Sequence, residues 1–413
     1  MGNNKLRIWL ITSSNDPEIL SYYYDQFSRF EKITNVKVKL ENITWERIYT
    51  ALVEGFKYNT GPDVLQIGTS WVKVFTHMGY LAQVPENIRV KPAINKGINL
   101  LCSYKGLQYA VPWKADTIIM AGRKDYMTEI GIKESDVRDW EGLKEVCEEI
   151  KKMKQVDSRI PNPLSIALQP ERDTLQRFYS ILWSRGWEFP DLKKMPEKIL
   201  TDDLVIDTIK YFAELKIICD KSVKDTDKHP YQVNEDFYLH GSSVFYLGSW
   251  YGIVERVNSN DSSMNYCVLP FPSSTEQSCS YGGGSVLGVS SRSQNKEDAW
   301  KLVEYLSSED FMRRWVDEIN NVPAFEDKFW EKRFEDERIR IMYEQTINSK
   351  IYPLHPAWIA IENELIKGVY YIIKELIKRR NTELKKSDYA FLEKIEQNIK
   401  KIIELSWEVR ENV

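Results

Sequence analysis

The sequence predicts an α/β protein built from two domains. Its 413 residues exceed what a single hydrophobic core usually organises. Residues 6–67 alternate between short apolar strands and amphipathic helices, which is the pattern of a parallel sheet with crossover helices. No run of about eighteen apolar residues occurs, so we expect no membrane-spanning helix.

The first five elements follow from local patterns of apolar residues and turn residues. In order they are strand Leu6–Leu10, a helix opened by Asp16-Pro17, strand Val36–Leu40, a helix from Trp45 to about Gly55, and strand Asp63–Ile67. In sheets of this kind ligands bind beyond the carboxyl ends of the strands. That rule selects the loops Ser13–Asn15, Asn42–Trp45 and Gly68–Trp71.

The middle of the chain continues in mixed α/β style, and the end is helical. We expect a hairpin end at Gly106–Pro112, strand Ile118–Met120, helix Trp140–Ile150, a helix capped by Thr201 that carries Val205–Leu215, strand Val286–Val289, and a helix capped by Asn295 that carries Ala299–Leu306. From about residue 357 the apolar spacing predicts helix almost to the end.

Charge and composition exclude several classes of protein. The net charge of −4 argues against a nucleic-acid partner, which needs an electropositive surface. The five cysteines (Cys102, Cys147, Cys219, Cys267, Cys279) are odd in number and have no CxxC spacing, which argues against a disulfide framework or a zinc site. The four histidines are too scattered for a ligand set. We therefore expect no metal and no cofactor.

Catalytic signatures do not occur in the sequence. It contains no GxSxG, HExxH or Walker A motif, and Gly282-Gly283-Gly284 precedes a strand instead of linking strand to helix. A glycosidase needs two positioned carboxylates, and 61 acidic residues leave such a pair possible without singling one out. A carbohydrate-active enzyme stays open as an alternative to a binding protein.

Five segments in order resemble one family. They are Gly61-Pro62-Asp63-Val64; Gly106–Pro112 followed by Arg123-Lys124-Asp125; Phe237–Trp250 ending in Gly248-Ser249-Trp250; Val268–Pro272; and Gly282-Gly283-Gly284 leading to Asn295–Trp300. Over about residues 5–360, the chain is similar to the family 1 extracellular solute-binding proteins, the maltose-binding-protein-like sugar receptors of ABC transporters.

The resemblance implies the two-lobed, type II periplasmic-binding-protein-like fold. Each lobe would be a mostly parallel sheet flanked by helices, with lobe 1 formed by residues 1–113 and 284–322 and lobe 2 by residues 114–283 and 323–413. A three-segment hinge would cross near Trp113, near Gly283 and near Val322-Pro323, where glycine and proline beside strands suit backbone rotation.

The resemblance also implies residues that bind sugar in an inter-lobe cleft. Trp250 matches the aromatic on which such receptors stack a sugar ring, Trp71 follows a strand where the family places ligand contacts, and Asp116 matches a carboxylate that holds sugar hydroxyls or, alternatively, a hinge salt bridge. Further expected contacts are Asn15, Trp45, Ser70, Trp113, Gln169, Trp183, Ser249, Tyr281, Gly282 and Trp358. By their strand or helix periodicity, Trp9, Trp140 and Trp300 are expected in the core.

This mapping predicts a receptor that captures an oligosaccharide, delivers it to the permease subunits of an ABC transporter, and catalyses no reaction. Aromatic side chains cover the apolar face of a pyranose, while carboxylates and amides pair with its hydroxyls. A receptor for a non-sugar solute is the other alternative. We expect a monomer outside the cytoplasm, either periplasmic or at the cell surface through a lipid anchor. The printed N-terminus runs straight into a strand without an apolar leader, so a cytosolic protein stays open beside a trimmed leader.

Overall fold

The computed structural model describes residues 5–11, 17–219, 232, 233, 237, 240–250, 265–276, 278–319, 322–326 and 329–411. The chain divides into two compact units. Unit 1 comprises Met1–Asp116 and Gly283–Lys332, and unit 2 comprises Thr117–Gly282 and Arg333–Val413. Within the described ranges, no helix has the length and apolar character needed to cross a membrane.

Strands and short helices alternate through the first half of the chain. The elements are β1 (Leu6–Leu10), α1 (Pro17–Thr34), β2 (Val38–Asn42), α2 (Trp45–Tyr58), β3 (Val64–Gly68), α3 (Val72–His77), α4 (Lys96–Leu101), β4 (Ser103–Tyr104), β5 (Leu107–Gln108), β6 (Val111–Arg123), α5 (Lys124–Glu129), α6 (Trp140–Val156), β7 (Asn162–Ile166) and α7 (Arg172–Ser184). Short 3₁₀ turns occupy Thr69–Trp71 and Glu134–Val137.

The second half contains fewer strands and ends in two long helices. Its elements are α8 (Asp203–Cys219), β8 (Ser243–Ser249), β9 (Tyr266–Leu269), β10 (Gly282–Val289), α9 (Lys296–Leu306), α10 (Glu309–Ile319), α11 (Phe329–Arg333), α12 (Glu337–Asn348), α13 (Trp358–Arg379) and α14 (Lys386–Glu411).

Unit 1 is built on the strand order β2-β1-β3-β10. β1 runs parallel to β2 and β3, as the strand–helix alternation predicts, and β10 runs antiparallel to β3. β3 is buried along its whole length, because helices cover both faces of such a sheet. The helices bury one apolar face each, and in α2 this face is Ile48, Leu52 and Phe56.

Unit 2 has a mixed sheet. β7 pairs in parallel with β8, while the second half of β6 lies between β8 and β9 and is antiparallel to both. The long helix α13 packs on α7, α8 and α14, so the C-terminal helices form part of the core of unit 2. The Glu396 carboxylate on α14 accepts hydrogen bonds from the backbone N–H groups of Ile199, Leu200 and Thr201 at 2.9–3.0 Å, which fixes the segment before α8.

Gly284 occupies a position in unit 1 that only glycine fits. Its φ is +124°, and an added Cβ would lie 2.0 Å from the carbonyl oxygen of Lys114. The first strand half of β6 therefore approaches β10 at a distance that excludes any side chain at this point. This requirement accounts for the last glycine of the Gly282-Gly283-Gly284 segment.

The predicted elements are confirmed in type, with differences at the helix ends. α2 continues to Tyr58 because Asn59, in the left-handed conformation, ends it. The cap of α8 is Asp202 and not Thr201, since the Asp202 carboxylate accepts from the backbone N–H of Leu204 at 3.0 Å. Asn295 precedes α9 but makes no capping hydrogen bond with its side chain. The predicted cap Asp16 lies outside the described residues.

Candidate functional site

Three aromatic rings lie together at the carboxyl end of β3 in unit 1. The ring of Trp71 is edge-on to those of Trp45, at 5.9 Å between centroids, and Tyr49, at 5.5 Å. Trp71 is 1% exposed, whereas Trp45 and Tyr49 are partly exposed. Trp71 therefore supports the other two rings from behind, and Trp45 and Tyr49 present the accessible aromatic surface. The sequence pointed to Trp45 and Trp71 but not to Tyr49.

Two further expected contacts of unit 1 are partly buried. Ser70 is partly buried in the turn beside Trp71, and Asp116 is partly buried in the middle of β6. Asn15 lies outside the described residues.

Trp113 belongs to the core of unit 1. It is 0% exposed, and its ring stacks on Trp315 at 4.5 Å between centroids. Its indole N–H donates to the carbonyl oxygen of Leu306 at 3.0 Å. The stacking and the hydrogen bond hold Trp113 inside the unit, and its contact with a ligand stays a prediction.

Unit 2 contains a group of buried polar side chains around the start of α13, formed by Arg172, Tyr352, Trp358 and Glu362. We refer to these four residues as the Glu362 cluster. Glu362 is 1% exposed, and its Oε2 accepts a hydrogen bond from Arg172 Nε at 2.9 Å. Its Oε1 is also buried and has no hydrogen-bond partner. A carboxylate removed from water is thus paired on one oxygen only.

Two neighbouring aromatic residues also have a buried polar atom without a hydrogen-bond partner. Trp358 and Glu362 are four residues apart in α13 and so share one helix face. Trp358 packs against Tyr352 at 4.8 Å between ring centroids, and both are at most 2% exposed. Neither the Trp358 indole N–H nor the Tyr352 hydroxyl has a hydrogen-bond partner. The cluster therefore contains a buried indole N–H close to a buried carboxylate oxygen, neither of them in a hydrogen bond of normal geometry, and an unpartnered hydroxyl.

Electrostatics in the Glu362 cluster are dominated by burial. Burial raises the pKa of Glu362, while the Arg172 guanidinium and the nearby Trp358 indole N–H act in the opposite direction. Burial also raises the pKa of Tyr352 well above its usual range, and the charge of Glu362 adds to this effect. The Tyr352 hydroxyl is consequently neutral and able both to donate and to accept at physiological pH.

The unpartnered atoms are concentrated in this part of the molecule. Among the described residues, six buried side-chain polar atoms lack a partner, and three of them belong to the Glu362 cluster. Buried polar groups in folded proteins are almost always paired, and each unpaired one costs about 1–3 kcal/mol. Because these polar groups have already lost their hydration in the folded protein, they are suited to bind a polar molecule that completes the missing hydrogen bonds.

Tyr281 and Gly282 lie next to the Glu362 cluster. The ring of Tyr281 is 4.7 Å from that of Tyr352, and its backbone N–H donates to Ser180 Oγ at 2.8 Å. The backbone N–H of Gly282 donates to the carbonyl oxygen of Lys350 at 2.8 Å. These bonds hold residues 281 and 282 against the segment that carries Tyr352. The structure thus brings together Tyr281, Gly282 and Trp358, three residues that the sequence predicts as ligand contacts.

Trp183 belongs to the same group of aromatic rings. It is 2% exposed in the last turn of α7 and lies 5.5 Å from Tyr179 and 6.0 Å from Tyr352 between ring centroids. Trp183 thus packs against Tyr352, and its contact with a ligand stays a prediction.

Ser249 is the last residue of β8, Trp250 follows it, and Gln169 lies shortly after the end of β7. Gln169 and Ser249 are partly buried, and the Ser249 carbonyl oxygen accepts from the Tyr246 hydroxyl at 3.3 Å. Trp250 is 3% exposed, and its indole N–H is another of the six unpartnered polar atoms. β7 and β8 are parallel neighbours, so these three residues follow the same edge of the sheet of unit 2.

Sequence reasoning missed Arg172, Tyr352 and Glu362. One signal for Glu362 was present: it stands on the apolar face of α13, in line with Trp358, Leu365 and Val369. A charged residue in such a face is rarely buried without a partner or a function. Tyr352 lies outside any helix or strand and therefore carries no periodic signal.

No group of metal-binding side chains occurs within the described residues. The chemistry available in the Glu362 cluster is that of hydrogen bonding and aromatic contact.

Comparisons with known proteins identify the family of this chain. Residues 25–334 match the family model of the bacterial extracellular solute-binding protein. The diacetylchitobiose binding protein DasA of Streptomyces coelicolor is 23% identical over 87% of this chain and 82% of its own length. The maltotriose-binding protein of Pyrococcus abyssi is 22% identical over 91% of this chain and 78% of its own.

Solved structures show the same fold. An ABC transporter solute-binding protein of Thermotoga lettingae, bound with α-D-tagatose, superposes with a TM-score of 0.82 at 19% identity, covering 97% of this chain and 100% of that one. Maltose-bound MalE3 of T. maritima gives 0.76 at 19% identity, covering 97% and 99%. The expected two-lobed type II fold is confirmed, and with the family match over most of its length the chain belongs to the bacterial extracellular solute-binding proteins.

Proposed function

We propose that this protein binds a carbohydrate, and specifically an oligosaccharide, for import by an ABC transporter. The observation that carries the proposal is the set of unpartnered atoms in the Glu362 cluster: the Trp358 N–H, the Glu362 Oε1 and the Tyr352 hydroxyl, all beside aromatic rings. A sugar hydroxyl donates and accepts at once, so adjacent hydroxyls suit a free acceptor beside a free donor. The C–H face of a sugar ring suits the aromatic surfaces.

The charge of the cluster favours a neutral ligand. Arg172 offsets the charge of Glu362 through their 2.9 Å hydrogen bond, so a cationic ligand would meet Arg172 as well as the carboxylate. An ammonium group can only donate and a ligand carboxylate can only accept, and neither serves both Trp358 and Glu362. The relatives named for binding diacetylchitobiose and maltotriose support the same class of ligand.

We further propose which residues contact the ligand, which proteins receive it and where the protein acts. In unit 1, Trp45 and Tyr49 would offer aromatic contact, with Ser70, Trp71 and Asp116 as further contacts. In unit 2, Gln169, Ser249 and Trp250 would add to the Glu362 cluster. The protein would act as a monomer outside the cytoplasm, in the periplasm or held at the cell surface by a lipid anchor, and would pass its ligand unchanged to membrane permease subunits.

We also propose that the segments joining the two units form a hinge. The chain passes from one unit to the other at Asp116–Thr117, Gly282–Gly283 and Lys332–Arg333. Short connecting segments of this kind are where backbone rotation is absorbed when lobes move. Small-angle scattering with and without saturating ligand tests this, and an unchanged radius of gyration would speak against a moving hinge.

A panel of thermal-shift measurements tests the ligand class. We expect at least one neutral oligosaccharide among diacetylchitobiose and the malto-, xylo-, manno- and gluco-oligosaccharides to raise Tm, since ligand at a hundredfold excess over Kd stabilises the folded protein by about 2.7 kcal/mol. Chromatography after long incubation should recover the sugar intact. Stabilisation by cationic or peptide probes but by no sugar would overturn the proposal, and released shorter sugars would favour an enzyme.

A further inference from the structure

A buried cation of unit 2 holds the strand that leads to Trp250. Arg177 lies on α7 and is 1% exposed, although this helix packs into the hydrophobic core of the unit. Charged side chains are rarely buried so fully, because other polar groups must replace their lost hydration. Arg177 finds this replacement in backbone carbonyl groups, and one of them belongs to β8.

The guanidinium of Arg177 makes two hydrogen bonds to carbonyl oxygens. Its Nε donates to Leu247 at 3.1 Å, and its Nη1 donates to Asp173, one helical turn earlier, at 2.9 Å. The Asp173 carboxylate lies 3.6 Å from the same Nη1, but its side chain is 39% exposed, so this ion pair contributes little. The bond to Leu247 therefore ties α7 to the strand that ends next to Trp250.

This bond is made at the point where β8 loses its pairing with β7. The register of the two strands ends at Ile166 and Leu247, whereas β8 itself continues to Ser249. Pairing of β8 with β6 does include Ser249. Arg177 thus holds β8 at the residue beyond which one of its two neighbouring strands no longer does.

The backbone between this bond and Trp250 is also closely packed. An added Cβ on Gly248 would lie 2.9 Å from Arg177 Nη2 and 2.2 Å from the Tyr246 hydroxyl oxygen. That hydroxyl donates to the Ser249 carbonyl oxygen at 3.3 Å. Arg177 and Tyr246 together therefore restrict the three residues that precede Trp250.

We infer that Arg177 is a positioning residue, which sets the place of the Trp250 ring by holding β8 at Leu247. The inference rests on the proposed function, in which Trp250 contacts an oligosaccharide. Trp250 is only 3% exposed, and its indole N–H has no hydrogen-bond partner. Because hydrogen bonds weaken steeply with angle, the orientation of this ring determines whether the N–H can serve a sugar hydroxyl.

Two measurements on Arg177→Met test the inference, since methionine has no donor for the Leu247 carbonyl oxygen. The full chain is labelled with fluorotryptophan, and the fluorine resonance that is missing from Trp250→Phe is that of Trp250. In Arg177→Met without ligand, we expect this resonance to move by more than its line width. Affinity for the oligosaccharide that raises Tm most should fall about tenfold, which corresponds to about 1.4 kcal/mol.

Trp140 reports on the packing of α7. Its indole N–H donates to Ser184 Oγ, on the last residue of that helix, at 2.8 Å. The fluorine resonance of Trp140, assigned with Trp140→Phe, should stay in place in Arg177→Met. A resonance that moves there together with that of Trp250 would mean a general displacement of α7 and would overturn the inference.

Lys216→Met is the matched control. Lys216 is another buried cation of unit 2, and its Nζ donates to the carbonyl oxygen of Ile166 at 2.8 Å. Because Ile166 is the β7 residue paired with Leu247, this variant releases β7 instead of β8. It should lower Tm but leave the Trp250 resonance unmoved. An equal movement in Lys216→Met would show that the loss of any buried cation has this effect, against the inference.

The two measurements separate this inference from the proposed function. A Trp250 resonance that stays in place in Arg177→Met overturns the inference, and so does a sugar affinity equal to that of the wild type despite a displaced Trp250. If no oligosaccharide binds the wild type, the proposed function fails, while the resonance without ligand still shows whether Arg177 sets the place of Trp250.

Arg177→Lys keeps the test decisive where Arg177→Met does not fold. Lysine retains the charge but replaces the planar fork of donors by a single ammonium group, so it cannot bond the Leu247 and Asp173 carbonyl oxygens in the same geometry. The same two effects are expected to a smaller degree. An unmoved Trp250 resonance in Arg177→Lys, with unchanged sugar affinity, would overturn the inference there as well.

Discussion

Arg172 and Glu362 form an ion pair in which only one carboxylate oxygen is used. Arg172 Nε donates to Glu362 Oε2 at 2.9 Å, while Oε1 is equally buried and makes no hydrogen bond. Arg172 is 30% exposed and Glu362 only 1%. The pair thus leaves one buried carboxylate oxygen without a hydrogen bond, and this arrangement costs stability unless another molecule completes it.

Replacing Glu362 by glutamine should weaken ligand binding. Glu362→Gln keeps the shape of the side chain but removes the charge that strengthens its hydrogen bonds. We expect a loss of about 1–2 kcal/mol in binding free energy, measured by titration calorimetry with the oligosaccharide that gives the largest thermal shift. The matched control is Glu344→Gln, an exposed ion-pair residue of α12. Equal affinity for wild type and Glu362→Gln would place the ligand elsewhere.

The same substitution should alter how stability depends on pH. Burial raises the pKa of Glu362 in the folded state, so the stability linked to this group is fully present below its unfolded-state pKa and is lost as pH rises through the folded-state pKa. Glutamine does not titrate. Between about pH 4.5 and pH 7, Tm of Glu362→Gln should therefore rise relative to that of the wild type. A difference that stays constant over this range would contradict the raised pKa.

Asp388 should show the opposite dependence. It accepts hydrogen bonds from both terminal nitrogens of Arg379, at 2.6 and 2.8 Å, and joins the end of α13 to the start of α14. The Arg379 guanidinium lowers the pKa of Asp388, so its contribution is present above the unfolded-state pKa and is lost as pH falls through the folded-state pKa.

We expect Asp388→Asn to cost about 2 kcal/mol of unfolding free energy at pH 7 and progressively less in acid. Denaturant titration at several pH values measures this. Asp207→Asn, which removes an exposed pair with Lys210 on α8, should change stability by less than about 0.5 kcal/mol. A cost for Asp388→Asn that is independent of pH would show that packing and not charge accounts for it.

The sequence predicted the elements better than it predicted the site. Trp9, Trp140 and Trp300 are buried as their periodicity indicated, because the period of a strand or helix determines which face is covered. Trp113 stands in a strand whose residues are almost all buried, so alternation gave no information about its surroundings. Its stacking on Trp315 joins residues that are distant in sequence, and only the folded chain reveals it.

The Glu362 cluster was hidden for a related reason. Glu362 is one of 61 acidic residues, and its partner Arg172 is 190 residues away. Composition and spacing describe neighbours along the chain, whereas an unpaired buried oxygen is a property of tertiary packing. The family resemblance pointed to Trp358, which places the sequence prediction within one helical turn of the carboxylate.

Gly284→Ala should be among the most destabilising single changes in unit 1. Its Cβ would lie 2.0 Å from the Lys114 carbonyl oxygen at a φ of +124°, so the two strands would have to separate. We expect a loss of more than about 3 kcal/mol, or failure to fold. Gly79→Ala is the matched control, because Gly79 also has a positive φ, of +70°, but nothing lies within 4 Å of its Cβ position.

At Gly79 the substitution should cost only the backbone strain, which is about 1–2 kcal/mol of unfolding free energy. Unfolding monitored by circular dichroism compares the two variants. Similar losses for both would mean that the close approach of Lys114 to Gly284 has no energetic weight.

Tyr352→Phe should separate ligand binding from stability. The Tyr352 hydroxyl is buried and unpartnered, so the folded protein without ligand gains nothing from it and bears the cost of its lost hydration. Removing it should leave the unfolding free energy unchanged or raise it by up to about 1 kcal/mol. If a sugar hydroxyl pairs with Tyr352, ligand affinity should fall by about 0.5–1.5 kcal/mol in the same variant.

The control for Tyr352→Phe is Tyr211→Phe, a buried tyrosine of the same unit whose hydroxyl donates to the Trp140 carbonyl oxygen at 2.5 Å. Tyr211→Phe should lose about 1 kcal/mol of stability, because it leaves a buried carbonyl unpaired, and should bind ligand as the wild type does. The opposite pattern, with Tyr352→Phe less stable and unchanged in affinity, would mean that the hydroxyl is paired by an internal water and that the Glu362 cluster is structural. Denaturant unfolding and calorimetry on the same four preparations (wild type, Tyr352→Phe, Tyr211→Phe and Glu362→Gln) decide between these outcomes.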